Sequence, residues 1–138
     1  MGLIFDSSEI IFLERDRAQV AGLVSGREGE SFGISVVTVS ELLHGVERAD
    51  TETRRLRRQS FVEKILESFP VFPFDVPVAR IYARIWASLS RKRLTVGAHD
   101  LIIAATAISL DCSVVTANRR DFEKIEGLKL EVHSLRQP

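Results

Sequence analysis

Leu3-Ile4-Phe5-Asp6-Ser7-Ser8 decides the fold class: an apolar run ends on an acid, and Ser7 or Ser8 then offers the N-cap of a helix carrying Ile10, Ile11 and Leu13. The unit is a strand followed by a helix, and it recurs. A short helix is expected over about residues 16–25, after which Gly26, Gly29 and Gly33 lead into a β-branched second strand from Ile34 to Thr38. Thr38-Val39-Ser40-Glu41 has capping-box spacing and opens a helix through Ala49. A longer amphipathic helix follows, with Phe61, Val62, Ile65, Leu66 and Phe69 on one face, and the third strand is expected from Phe69 to Phe74. Asp75, assigned to capping, and Pro77 start a helix on which Val78, Ile81, Tyr82, Ile85, Trp86 and Leu89 share a side. Gly97 precedes Asp100 and the run Leu101-Ile102-Ile103-Ala104-Ala105, which predicts a buried helix. Ser113 to Thr116 reads as the fourth strand. A polar loop, Asn118-Arg119-Arg120-Asp121, and a short helix then lead to an alternating edge strand from Leu128 to Val132.

Strands separated by helices imply a three-layer α/β/α domain with a mainly parallel central sheet, because each crossover must cover a sheet face. With 138 residues the chain is expected to form one domain, 1–138. A composition of 45% hydrophobic and 28% charged residues is that of a globular protein and excludes a disordered acidic tail. The single cysteine, Cys112, excludes an intramolecular disulfide framework and a cysteine-built zinc site, and points to a reducing, cytoplasmic setting. The longest apolar run, Leu101 to Leu110, is about half of what crosses a bilayer, so neither a membrane helix nor a signal peptide is expected. Net charge is zero, but residues 1–50 hold nine acids against four bases and residues 51–100 hold ten bases against five acids. Such a dipolar surface suits phosphates on its basic part and a cation among its acids.

In a parallel sheet, sites lie at the carboxyl ends of the strands. Asp6 closes the first strand, Glu41 follows the second by one turn, and Asn118 and Asp121 follow the fourth, so all four should rim one edge. Asp100, at the start of an apolar helix, must be added by folding. Acids gathered there repel one another unless a cation neutralises them, and Mg²⁺ or Mn²⁺ suits an all-oxygen donor set. Structural roles compete for each residue. Glu41 fits the third position of the capping box, Asp100 suits the positive end of a helix, and Asn118 and Asp121 suit a turn.

These segments resemble the PIN-domain ribonucleases of the VapC toxin type. The matching stretches are Leu3 to Ser8, Ile34 to Val46, Asp100 to Ala107 and Val115 to Phe122, in the family's order and over nearly the whole chain. The resemblance implies Asp6 and Asp100 as principal Mg²⁺ ligands and Glu41 as a third acid. It makes the Asn118/Asp121 pair the fourth corner, oriented by Thr116. Where some relatives place an acid at the position of Asn118, this chain has an amide, so Asp121 supplies the charge there. The implied chemistry is metal-dependent hydrolysis of an RNA phosphodiester, with a metal-bound water as nucleophile and Glu41 or Asp121 orienting or deprotonating it. The implied partners are an RNA substrate, a cognate antitoxin lying over the cleft, and a second copy in a homodimer.

RNA would be held mainly by its phosphates. Arg119 and Arg120 lie beside the fourth corner, while Arg80, Arg84 and Arg91, extended by Lys92 and Arg93, and the cluster Arg54, Arg55, Arg57 and Arg58 also read as solvated helix faces. Phe61, Phe69, Tyr82 and Trp86 are expected to pack in the core or a dimer interface. His44, His99 and His133 have no triad spacing. Two other classes compete. One is a PIN-like module that binds metal, RNA or protein without turnover. The other is a phospho-receiver, for which Asp75 with Lys124 or Lys129 would have to serve.

Overall fold

In the computed structural model, which describes residues 2–15 and 31–131, the opening apolar run is strand β1 (Leu3–Phe5), buried along its whole length. It occupies the centre of the sheet. Strands β2 (Phe32–Ser35) and β3 (Val71–Phe72) lie to one side, β4 (Ser113–Val115) and β5 (Lys129–Leu130) to the other, in the order β3-β2-β1-β4-β5. Every pairing is parallel, with Ile4 facing Gly33 on one flank and Val114 on the other. A Cβ on Gly33 would run into the Phe72 ring, so this close strand approach requires glycine.

Helices α1 (Ser7–Arg15), α2 (Val36–Glu47), α3 (Glu52–Ser68), α4 (Val76–Arg91), α5 (Ala98–Ser109) and α6 (Arg119–Phe122) connect the strands. The alternation of a strand divides the interior in two. Leu3 and Phe5 pack with Ile10, Phe61, Val62 and Ile65 on one face, whereas Ile4 packs with Leu89, Ile103, Ala107 and Phe122 on the other. The three-layer α/β/α expectation holds, with a fully parallel sheet among the described residues. Asp75 caps α4 by accepting from the Val78 amide, as its spacing predicts. Helix α5 buries six residues and carries Asp100 in its first turn.

Several boundaries differ, for physical reasons. The second strand ends at Ser35, so Val36, Val37 and Thr38 form the first turn of α2 in spite of their β-branching. The cap is Ser35, whose hydroxyl accepts from the Val37 amide, and the Thr38–Glu41 box is not used. Glu41 therefore sits in the second turn and has no capping role. The third strand shrinks to Val71–Phe72, between Pro70 and Pro73, which lack the amide hydrogen a ladder needs. Neither Ser7 nor Ser8 precedes α1 as a cap; both are inside it, and Asp6 takes that position. Trp86 is not a core residue: it is 60% exposed and ends an edge-to-face series from Phe74 through Tyr82. The helix expected over residues 16–25 and the end of the last strand at Val132 lie outside the described residues. Among the described residues no helix is long and apolar enough to cross a membrane.

Candidate active site

Asp6 directly follows β1, is 5% exposed, and is held from three sides. Its Oδ1 accepts from the Ser7 amide at 2.7 Å, and its Oδ2 accepts from the hydroxyls of Ser8 at 3.2 Å and Thr116 at 2.7 Å. All three donors are neutral, so the carboxylate is aimed without being neutralised. Thr116, which follows β4, also accepts from the Asn118 amide at 2.9 Å. One buried hydroxyl thus joins the ends of the two central strands and sets the loop that carries the fourth corner.

The Asn118 side-chain amide extends the network, donating to Asp100 Oδ2 at 3.3 Å and to Asp121 Oδ2 at 3.1 Å. Asp100, on the first turn of α5, is pushed up to about 6, first by burial and then by the charges of Asp6, Asp121 and Glu41, with His99 opposing. Asp121 goes the other way. Hydrogen bonds from Asn118 and from Lys124 hold its carboxyl below the usual range, and Lys124 Nζ stands 3.1 Å from Oδ1 while also donating to the Thr95 carbonyl. Glu41 faces His99 across 3.7 Å between Oε2 and Nδ1. Asp6, Glu41, Asn118 and Asp121, expected at the strand ends, and the added Asp100 are therefore brought to one edge.

The chemistry of the donors fits a hard divalent ion. Among the described residues no lysine or arginine pairs with Asp6 or Asp100, and the pKa of the Asp100 carboxyl is raised first by burial and then by the negative charges of Asp6, Asp121 and Glu41. The same residues contain no group of three His, Cys, Asp or Glu side chains converged tightly enough to ring an ion. Mg²⁺ or Mn²⁺ needs no such ring, since these ions bind through one or two carboxylates and keep several waters.

Sequence reasoning missed Lys124 as the cation of the fourth corner. The signal was present in its spacing, three residues after Asp121 on one helical side. That pairing, and the pairing of Lys129 with Asp111, leave Asp75 without a lysine and remove the phospho-receiver constellation. Of the basic residues suggested for RNA, Arg119 lies 3.5 Å from Glu123 and Lys92 pairs with Glu126. Arg91, Arg93 and Arg120 are exposed and have no ion pair among the described residues.

The match to known proteins agrees with this geometry. The PIN domain family model covers residues 3–128. Ribonuclease VapC1 of Rickettsia felis is 41% identical over 133 residues, covering 94% of this chain and 95% of that protein. The tRNA(fMet)-specific endonuclease VapC of Salmonella typhimurium is 37% identical over 98 residues, about seven tenths of each chain (71% and 72%). Among solved structures, DNA-bound VapBC from Salmonella typhimurium superposes with a TM-score of 0.85 at 29% identity, over 95% of this chain and 97% of that one. The chain belongs to the PIN domain family, among its VapC ribonucleases.

Proposed function

We propose that this protein is a metal-dependent endoribonuclease, the toxin of a toxin–antitoxin pair acting in the cytoplasm, and that Asp6 and Asp100 hold its Mg²⁺ or Mn²⁺. The observation that carries the reading is a buried carboxylate, Asp6, fixed by neutral donors beside an Asp100 that no basic side chain among the described residues neutralises. The VapC names of the relatives and the VapBC complexes among the structural neighbours support the activity and the antitoxin partner.

The ion supplies Lewis acidity: a lowered pKa for a bound water and relief of the charge that develops on the phosphate. The chain's own residues divide the remaining work. Ser7, Ser8 and Thr116 keep Asp6 from rotating. Asn118 ties Asp100 to the fourth corner. Both oxygens of Asp121 are already engaged, by Asn118 and Lys124, whereas Glu41 meets only His99, through Oε2, among the described residues, which makes Glu41 the acid to orient the attacking water. Arg120, Arg91 and Arg93, which have no ion pair among the described residues, offer guanidinium groups to backbone phosphates, and Arg119 and Lys92 join them by exchanging their glutamate partners. The exposed Phe74 and Trp86, joined through the half-buried Tyr82, supply an apolar face for the homodimer. Ile11 and Leu43, 46% and 38% exposed, offer apolar contacts to the antitoxin beside the cleft.

The test is cleavage of total cellular RNA by the purified, antitoxin-free protein with Mg²⁺ or Mn²⁺, beside an EDTA control and an Asp6→Asn, Asp100→Asn double variant. Discrete fragments from the metal-loaded wild type alone are expected. Identical patterns from wild type and variant would instead leave a PIN-like binding module without turnover.

A further inference from the structure

A cleft of about 440 Å³ opens beside the acid edge, between α1, α2 and the start of α5. Its near end holds Glu41 with Ser40 and His99 beside it, and further along α2 the lining turns basic, at His44 and Arg48. His44 and Arg48 follow Glu41 by one and two turns of α2, about 4.5 Å and 10 Å further along the helix axis. Gly45 lies between them, and a Cβ there would meet nothing within 4 Å, so the wall is open where the helix passes the cleft.

Three arginines of the adjoining helix α3 are already engaged. Arg54 is bound to Asp50, Arg55 to Glu52 and Glu47, and Arg58 to the Gly45 carbonyl. Arg48, exposed as the C-cap residue of α2, has no such partner among the described residues, although Glu41 is on the same helix. A guanidinium presents five donors in a fork matched to phosphate oxygens, and an imidazole offers an N–H donor in either protonation state.

We propose that Arg48, with His44, forms a phosphate subsite that grips the RNA backbone one or more nucleotides away from the scissile bond. The proposal rests on the ribonuclease reading and deepens it. The acid edge repels a polyanion unless a metal is present, so an anchor with the opposite charge, set one to two helical turns away, positions the chain without depending on the ion.

The experiment measures the affinity of metal-free protein, in EDTA, for short single-stranded RNAs of differing sequence over a range of salt concentrations. Arg48→Gln is expected to weaken binding about tenfold for every sequence and to lower the salt slope by about 0.7, the release expected for one phosphate contact on a single strand. Arg48→Lys should recover part of the loss. Arg57→Gln, an exposed arginine of α3 outside the cleft, should match the wild type. RNA binding that is indifferent to Arg48→Gln overturns the subsite and leaves the nuclease intact. So does a wild type that cleaves with Mg²⁺ but does not bind without it. A wild type that neither binds nor cleaves removes the nuclease reading and the subsite together. Loss of antitoxin affinity in Arg48→Gln with RNA affinity unchanged would overturn the RNA assignment and give this wall to the antitoxin. Circular dichroism of each variant separates lost contact from lost fold.

Discussion

Asp6 and Asp121 are both aspartates at the carboxyl edge of one sheet, yet their surroundings give them opposite work. Asp6 is buried and held by hydroxyls and an amide, donors that fix direction and leave the negative charge available. Asp121 is a third exposed and already carries its own cation, Lys124, so its charge is largely spent inside the protein. The difference teaches that acidity at a strand end does not make a ligand. What decides is whether the neighbours neutralise the carboxylate or merely aim it.

The largest effect should come from the aimed pair. Asp6→Asn or Asp100→Asn is expected to lower the cleavage rate about 10³-fold or more, read as initial rates on a defined RNA with saturating Mg²⁺. If either variant keeps wild-type rates, the division drawn here between the two aspartates fails. Thr116→Val comes next. It strips a buried carboxylate of its closest hydroxyl donor and the Asn118 amide of its acceptor, for about 1–3 kcal/mol of stability in urea denaturation. Thr116→Ser should keep most of it.

The neutralised corner should respond more weakly and in a coupled way. Asp121→Asn and Lys124→Met are each expected to cost about tenfold in activity, and the double variant little more, because either change dissolves the same pair. Full additivity in a double-mutant cycle would show that the two residues act separately.

The smallest effect concerns stability without metal. The folded pKa of Asp100 is raised to about 6, so the folded chain holds this proton more tightly than the unfolded chain does. Its ionisation therefore costs stability, a cost absent below about pH 4 and complete above the folded value. Asp100→Asn should raise the melting temperature of the metal-free protein by about 2 °C at pH 7.5 and by nothing near pH 4. Added Mg²⁺ should stabilise the wild type but not this variant, which thermal melts with and without EDTA will show.

How much of this was legible depends on the range of the interaction concerned. The parallel α/β class follows from apolar runs and turns of local period, and Asp6, Asn118 and Asp121 reach one edge because a parallel sheet aligns its strand ends. The capping role of Asp75 was legible for the same reason. The misread cap of α2 shows where local reading stops. Thr38 and Glu41 have the spacing of a box, but the strand makes its last ladder pair at Ser35 with Phe72, and the Ser35 hydroxyl caps a helix that starts three residues early. For Trp86 helical spacing identified a face without saying whether the core or a partner covers it, and its exposure rules out the core.

The sequence by itself determined the order of elements, the apolar faces and the acids that end the strands, since all of these rest on periods of two or 3.6 residues and on caps within a single turn. Only the tertiary structure decided which side chains meet. Thr116 reaches Asp6 from 110 positions away, Asn118 reaches back 18 positions to Asp100, and Asp121 acquires Lys124 while Arg48 has no carboxylate partner among the described residues. The physical reason is that burial can be encoded residue by residue, whereas a hydrogen bond between distant segments exists only after the sheet has closed and set both partners within 3 Å or so of each other.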